Sequence, residues 1–197
     1  WLFIRSTCDW CTFGSLRHRN FRLLWVGNIA TQAGFWMFSI AQGWLALQLP
    51  DSALWLGVVG FACGIPLLLF ALLGGEMADR FNRRTLLLVY QSTSLVFITV
   101  FALLVTLNIV ELWHVILVAF LFGTMMSLNI PLRQALIPDL VEKEDLVNAI
   151  ALNSVGFNSM RVVGPALAGV LIATIGMKGI FWLMVLGYVW ALIMIFQ

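Results

Sequence analysis

Gly75-Glu76-Met77-Ala78-Asp79-Arg80-Phe81-Asn82-Arg83-Arg84-Thr85-Leu86-Leu87 places two acids and three arginines between two long apolar runs. The run before the charges covers Ala53–Ala78 and the run after them Thr85–Leu107. Each exceeds the ~20 apolar residues that cross a hydrocarbon core of about 30 Å. The stretch is therefore a tight hinge between two membrane spans. Its arginines mark one face of the bilayer, because basic residues in short connectors stay on the cytoplasmic side.

Working outward, four more apolar runs qualify as spans: Phe21–Leu49, Leu112–Ile130, Leu146–Ile175 and Met177–Gln197. None alternates in polarity as a barrel strand would. The fold expected is all-α, a polytopic membrane protein with a six-span helical bundle over residues 21–197, preceded by a cytoplasmic segment at 1–20. Composition agrees. Of 197 residues, 62% are hydrophobic and only 10% charged, against roughly 45–50% and about 25% in soluble domains. Such a chain is neither a soluble globule nor disordered. Three cysteines make no disulfide scaffold, and a net charge of +2 gives no footprint for nucleic acid.

Nine of the eleven Lys and Arg fall before the first run, between the second and third, or between the fourth and fifth. Arg133 and Lys143 belong to the last of these groups on the sequence reading, in a connector running Pro131–Asp145. Pro138 there begins a short surface helix with acids in its first turns, a placement the helix dipole favours. Lys178 alone lies opposite. The N-terminus is thus expected in the cytoplasm and the protein in the plasma (inner) membrane. Trp44, Trp55, Trp113 and Trp182 fall near the outer ends of their runs, as an aromatic belt does. Residues 1–20 lack the apolar core of a signal peptide. The chain starts on Trp1 and stops at Gln197 directly after an apolar run, and is read as a fragment of a longer protein. Gly57 and Pro66 in the second run match Gly156 and Pro165 in the fifth at the same separation, a pointer to repeated three-span units.

The opening stretch resembles the loop signature of the major facilitator superfamily, which reads Gly, Leu two residues later, then Ala-Asp-Arg, a spacer, Gly and two basic residues. Met77 stands for the Leu. Asn82 stands for the second Gly, and Asn is the next best residue for a left-handed turn. Gly156, with Gly164-Pro165-Ala166-Leu167-Ala168-Gly169, is similar to the Gly-Pro signature of the fifth helix in exporters of that superfamily, with Ala168 where the family has a first glycine. Leu16-Arg17-His18-Arg19-Asn20-Phe21-Arg22, Pro131-Leu132-Arg133-Gln134 and Asn148/Asn153 together resemble the branch of enterobactin exporters and macrolide-efflux-type pumps. That family has twelve spans, so the resemblance makes this chain the N-terminal half. It implies an exporter of small organic molecules, drug or siderophore, driven by the proton gradient and working by alternating access. Gly75, Asp79, Arg80, Arg83 and Arg84 would form the cytoplasmic gate, with Asp79 against a helix N-terminus of the missing C-terminal half. The family's usual basic residue in span four is absent between Trp113 and Asn129.

Polar residues inside spans are costly and mark function. Span one carries Asn28, Gln32, Trp36, Ser39 and Gly43 on one helix face. Span five carries Ser154, Asn158, Arg161 and Pro165. The candidate substrate cavity is therefore Asn28, Gln32, Trp36, Asn158 and Arg161, although such stripes also serve as packing glue. No carboxylate sits at mid-depth, which leaves Glu76, Asp79 or the missing half to carry a proton. Cys8-Asp9-Trp10-Cys11 has the spacing of a redox or metal pair but lacks further ligands. His114 reads as interfacial. No metal site, cofactor motif or catalytic cluster is expected, and the partners are the small-molecule substrate, protons and lipid. An importer of the same superfamily and a non-transporting truncated or scaffold protein stand as alternatives.

Overall fold

The computed structural model describes residues 11–49, 52–80 and 82–196, with side chains except at 11–13, 71–75 and 77–79. The described residues form a short 3-10 turn, Cys11–Arg17, and five α-helices: α1 (Arg19–Gln48), α2 (Ala53–Arg80), α3 (Arg83–Thr106), α4 (Leu112–Leu140) and α5 (Leu146–Phe196). No strand occurs among them. Four helices, α2 to α5, are long and apolar enough to cross a membrane.

α5 has 51 residues. A straight helix of that length would span roughly 76 Å, far more than a bilayer. Its backbone breaks at Gly176, with φ 71° and ψ 177°, a conformation essentially confined to glycine. The break separates a first arm, 146–175, from a second, 177–196. α1 packs against both arms. Trp25 donates from its indole nitrogen to the Leu152 carbonyl at 3.0 Å on the first arm. Gly27 and Gly34 face Ala191 and Tyr188 on the second. α2 lies against α4, and α3 against the second arm of α5 and α4. Phe38, Phe101, Phe122 and Phe181 fill the space where α1, α3, α4 and α5 converge, with ring centroids 4.4 Å apart for Phe38–Phe122 and 5.1 Å for Phe101–Phe181.

Burial is inverted between α1 and α2. Thirteen residues of α1 are buried, including Asn28, Thr31, Gln32 and Gln42. The most apolar stretch of α2, Ala53–Phe70, is only 11% buried and leaves Leu54, Phe61 and Leu68 exposed. A helix wrapped by protein can carry polar groups, whereas one facing hydrocarbon cannot.

Two expectations about α4 are overturned. The helix does not stop at Ile130 but runs through Pro131 and Pro138 to Leu140. The connector to α5 shrinks accordingly, and no separate surface helix begins at Pro138. Each proline removes one backbone donor. Burial of Leu132, Arg133 and Ile137 holds this last third of α4 within the bundle. Arg83 of α3 donates to the Ala135 carbonyl at 2.7 Å and supports the final turns. The matched glycines of the second and fifth runs also differ in role: Gly57 has open space around it, while Gly156 lies against Trp25.

Candidate functional site

Arg133, expected in a loop, is a buried side chain of α4 at 3% exposure. Asn129 precedes it by four residues, so the two share a helix face. Arg133 donates from Nε to Asn129 Oδ1 at 2.6 Å and from Nη2 to Thr31 Oγ1 of α1 at 3.4 Å. Asn129 Nδ2 donates to the Tyr90 hydroxyl of α3 at 2.9 Å. The Thr31 hydroxyl donates to the Gly27 carbonyl at 2.9 Å. Gln91 Nε2 reaches the Tyr188 carbonyl of α5 at 3.4 Å. One polar chain thus ties α1, α3, α4 and α5 together inside an apolar bundle.

Beside it lies a pocket of about 170 Å³ lined by Asn28 and Gln32 of α1, Arg133 and Gln134 of α4, and Asn153 and Asn158 of α5, among others. Asn28 Nδ2 donates to Asn153 Oδ1 at 2.7 Å across the α1–α5 contact. Arg133 Nη1, Asn28 Oδ1 and Gln32 Oε1 are buried without a hydrogen-bond partner. Among the expected cavity residues, Asn28, Gln32 and Asn158 therefore line one pocket. Trp36 and Arg161 form a second pair further along, with the guanidinium carbon 5.7 Å from the Trp36 ring centroid, a cation–π contact. Arg161 is exposed on this bundle, and no ion pair involving it occurs among the described residues. Sequence reasoning missed Arg133, Asn129, Thr31, Tyr90 and Gln91. The four-residue step from Asn129 to Arg133 was the available signal, and the intervening Pro131 concealed it.

The glycines of the fifth-helix motif divide by function. A Cβ on Gly164 would lie 2.6 Å from Trp36 Cβ, and one on Gly156 would lie 3.3 Å from the Trp25 indole nitrogen. These two glycines let α1 approach α5. Gly169 has open space around it, and Pro165 is half-buried.

At the arginine-bearing end, Arg80 closes α2 and pairs with Glu76 at 2.7 Å. Asn82 is not left-handed: its φ is −62° and ψ 114°. It is the N-cap of α3, its side-chain oxygen accepting from the Arg84 and Thr85 amides at 3.0 and 3.3 Å. Arg83 pairs with Asp139 at 2.8 Å. Arg84 donates to the Phe196 carbonyl at 2.8 Å, placing a cation at the C-terminus of α5, where the helix dipole favours it. Gly75 lies in α2, and the side chain of Asp79 is outside the described residues. Ser15 donates to Asn148 at 2.6 Å and His18 meets Asp145 at 3.0 Å, fastening the N-terminal turn to the start of α5. Cys8 lies outside the described residues, as does the Cys11 side chain. His114 completes a capping box with Glu111 at the start of α4, a structural role. Among the described residues no cluster of His, Cys, Asp or Glu could hold a metal.

An apolar helical bundle with a polar chain through its interior has the build of a multi-pass membrane transporter. The chain belongs to the transmembrane secretion effector family of the major facilitator superfamily, whose profile matches residues 10–197. It is similar to the staphyloferrin A transporter of Staphylococcus aureus (strain NCTC 8325 / PS 47), 32% identical over 77% of this chain and 36% of that protein. It is also similar to the multidrug efflux pump Tap of Mycolicibacterium fortuitum, 26% identical over 81% of this chain and 40% of the pump. The chain thus spans well under half the length of these relatives. The family and both relatives are transporters, not enzymes.

Proposed function

We propose that this chain is the N-terminal, six-span half of a secondary transporter that exports small organic molecules of drug or siderophore type, driven by protons through alternating access. The observation that carries the reading is the polar pocket between α1, α4 and α5, continued along α1 and α5 by Trp36 and Arg161. Asn28, Gln32, Asn158 and Arg161 line the substrate path, joined now by Arg133. The names of the staphyloferrin A transporter and of Tap support the substrate class. The break at Gly176 supports counting the arms of α5 as spans five and six.

The gate lies at the arginine-bearing end, on the cytoplasmic face of the plasma membrane. Arg83 and Arg84 hold the start of α3 to the ends of α4 and α5. In this reading Asp79 engages a helix N-terminus of the C-terminal half. Breaking that contact opens the inner side while the two halves rock about the pocket. The test uses the full-length gene in a strain lacking its own efflux pumps. Energised cells should expel a fluorescent drug, collapse of the proton gradient should stop expulsion, and Asp79→Asn should slow it with membrane insertion intact. Accumulation in place of expulsion would make the protein an importer, and undiminished flux in Asp79→Asn would remove the gate.

A further inference from the structure

We infer that the pocket between α1, α4 and α5 is a hydroxycarboxylate site: Arg133 takes the carboxylate, and the side-chain oxygen of Gln32 accepts from the neighbouring hydroxyl. The inference rests on reading this pocket as part of the substrate path, and it names what the pocket recognises.

Three observations lead to it. First, Arg133 is buried with neutral partners only. Among the described residues no carboxylate pairs with it, yet a guanidinium withdrawn from water needs a compensating charge. Second, Arg133 Nη1 is a donor without a partner. The neighbouring Nη2 contact to Thr31 is long, at 3.4 Å. Both nitrogens can therefore turn to the two oxygens of one carboxylate, the bidentate geometry in which arginine binds best. Third, the other unpartnered atoms of the pocket, Asn28 Oδ1 and Gln32 Oε1, are acceptors. A carboxylate alone would leave them unsatisfied. A ligand with an O–H beside its carboxylate satisfies Arg133 Nη1 and, with its single proton, one of the two oxygens; Gln32 is assigned it, because Asn28 is already tied to Asn153. Buried polar atoms left without partners are rare because each is unfavourable, and a ligand that supplies missing partners lowers that penalty.

Size limits the ligand further. A pocket of about 170 Å³ has room for roughly five or six waters at their liquid volume. That fits a two- or three-carbon hydroxy acid, or the hydroxycarboxylate end of a larger substrate whose remainder lies toward Trp36 and Arg161.

The experiment uses the purified full-length transporter and three isosteric probes: lactate, propionate, which lacks the hydroxyl, and lactamide, which lacks the charge. Binding is measured by titration with saturation-transfer NMR. Lactate should bind roughly tenfold or more tightly than lactamide, as expected for hydrogen bonds to a charged group, and several-fold more tightly than propionate. Arg133→Gln should weaken lactate by about tenfold or more, Arg133→Lys by less, and Lys178→Gln not at all. Should Arg133→Gln fail to fold, Gln32→Leu serves instead: lactate should fall toward the affinity of propionate while propionate itself is unchanged. Equal binding of lactate and lactamide, no lactate binding to the wild type, or unchanged lactate affinity in folded Arg133→Gln overturns the inference. The same preparation in proteoliposomes, assayed for drug efflux, separates the two readings. Efflux without lactate binding removes the hydroxycarboxylate site and leaves the transporter. Lactate binding without efflux leaves the site and removes the export reading.

Discussion

Gly164 and Gly169 are both part of the fifth-helix motif, but five residues turn a helix by about 140°, so they face different surroundings. Gly164 meets Trp36, whereas Gly169 meets nothing within 4 Å. Gly164→Ala should therefore force α1 away from α5 at a cost of about 1–3 kcal/mol, the usual range for overpacking. Gly169→Ala should be neutral or slightly stabilising, since alanine suits a helix interior better than glycine. Thermal unfolding in detergent, followed by fluorescence-detected size exclusion, distinguishes the pair. Equal shifts for both would mean that the close α1–α5 approach is not what the motif secures. Gly176 is constrained by backbone alone: nothing crowds it, but its φ of 71° disfavours any L side chain. Gly176→Ala should cost about 1–3 kcal/mol despite the free space, and a wild-type melting temperature would refute the sharp reversal there. The motif was legible from spacing. Which of its glycines pack was not, because that depends on where tryptophans of another helix fall.

Helix boundaries show a similar limit at the scale of elements. Runs two and three were readable to within two residues, since Ala53–Ala78 and Thr85–Leu107 correspond to α2 and α3. The hinge between them was also readable, but the role of Asn82 was not. A residue between two helices suits either a left-handed turn or an N-cap, and the choice rests on whether its side chain reaches the next two amides. Since Asn82 caps α3, Asn82→Ala should destabilise the protein by about 1 kcal/mol and Asn82→Asp should preserve it. Urea or thermal titration of the two variants checks this, and a neutral Asn82→Ala would return the position to a simple turn. α4 was misjudged because Pro131 and Pro138 look like stops in a sequence. In a bundle, neighbouring helices and the Arg83 side chain stabilise the weakened turns. The misplaced end moved Arg133 from the interior to a loop, and with it went the centre of the candidate site. A basic residue does lie in α4, at Arg133, four residues beyond the stretch Trp113–Asn129 in which none occurs.

Across the whole molecule, polarity and burial run opposite to those of a soluble protein: the polar α1 is enclosed and the apolar face of α2 is bare. The bilayer supplies the apolar solvent, and apart from Arg133 and Arg161 the charges gather at the two ends. With Arg133 assigned to the interior, the loops and termini of one end still hold eight basic residues, against Lys178 at the other. On the proposed topology, short-connector charge sets the arginine-bearing end in the cytoplasm, and the chain returns to that side after the break at Gly176. Lys143 and Lys178 flank the first arm of α5, and both are exposed. In a full-length background with every cysteine, Cys8, Cys11 and Cys63 among them, changed to serine, Lys143→Cys should react with a membrane-impermeant maleimide only in inverted vesicles. Lys178→Cys should react only in intact cells whose outer face is accessible. The opposite pattern would invert the topology and carry the gate with it. Labelling of both positions from one side would mean that residues 146–175 do not cross the membrane, and the second arm could not then be a sixth span. Because the two lysines bracket the arm that carries Asn153, Asn158 and Arg161, the expected pattern would also fix the direction of the polar path: the Arg133 pocket, roughly 10 Å from the end of α4 by helical rise, would lie nearer the cytoplasm than the Trp36–Arg161 pair.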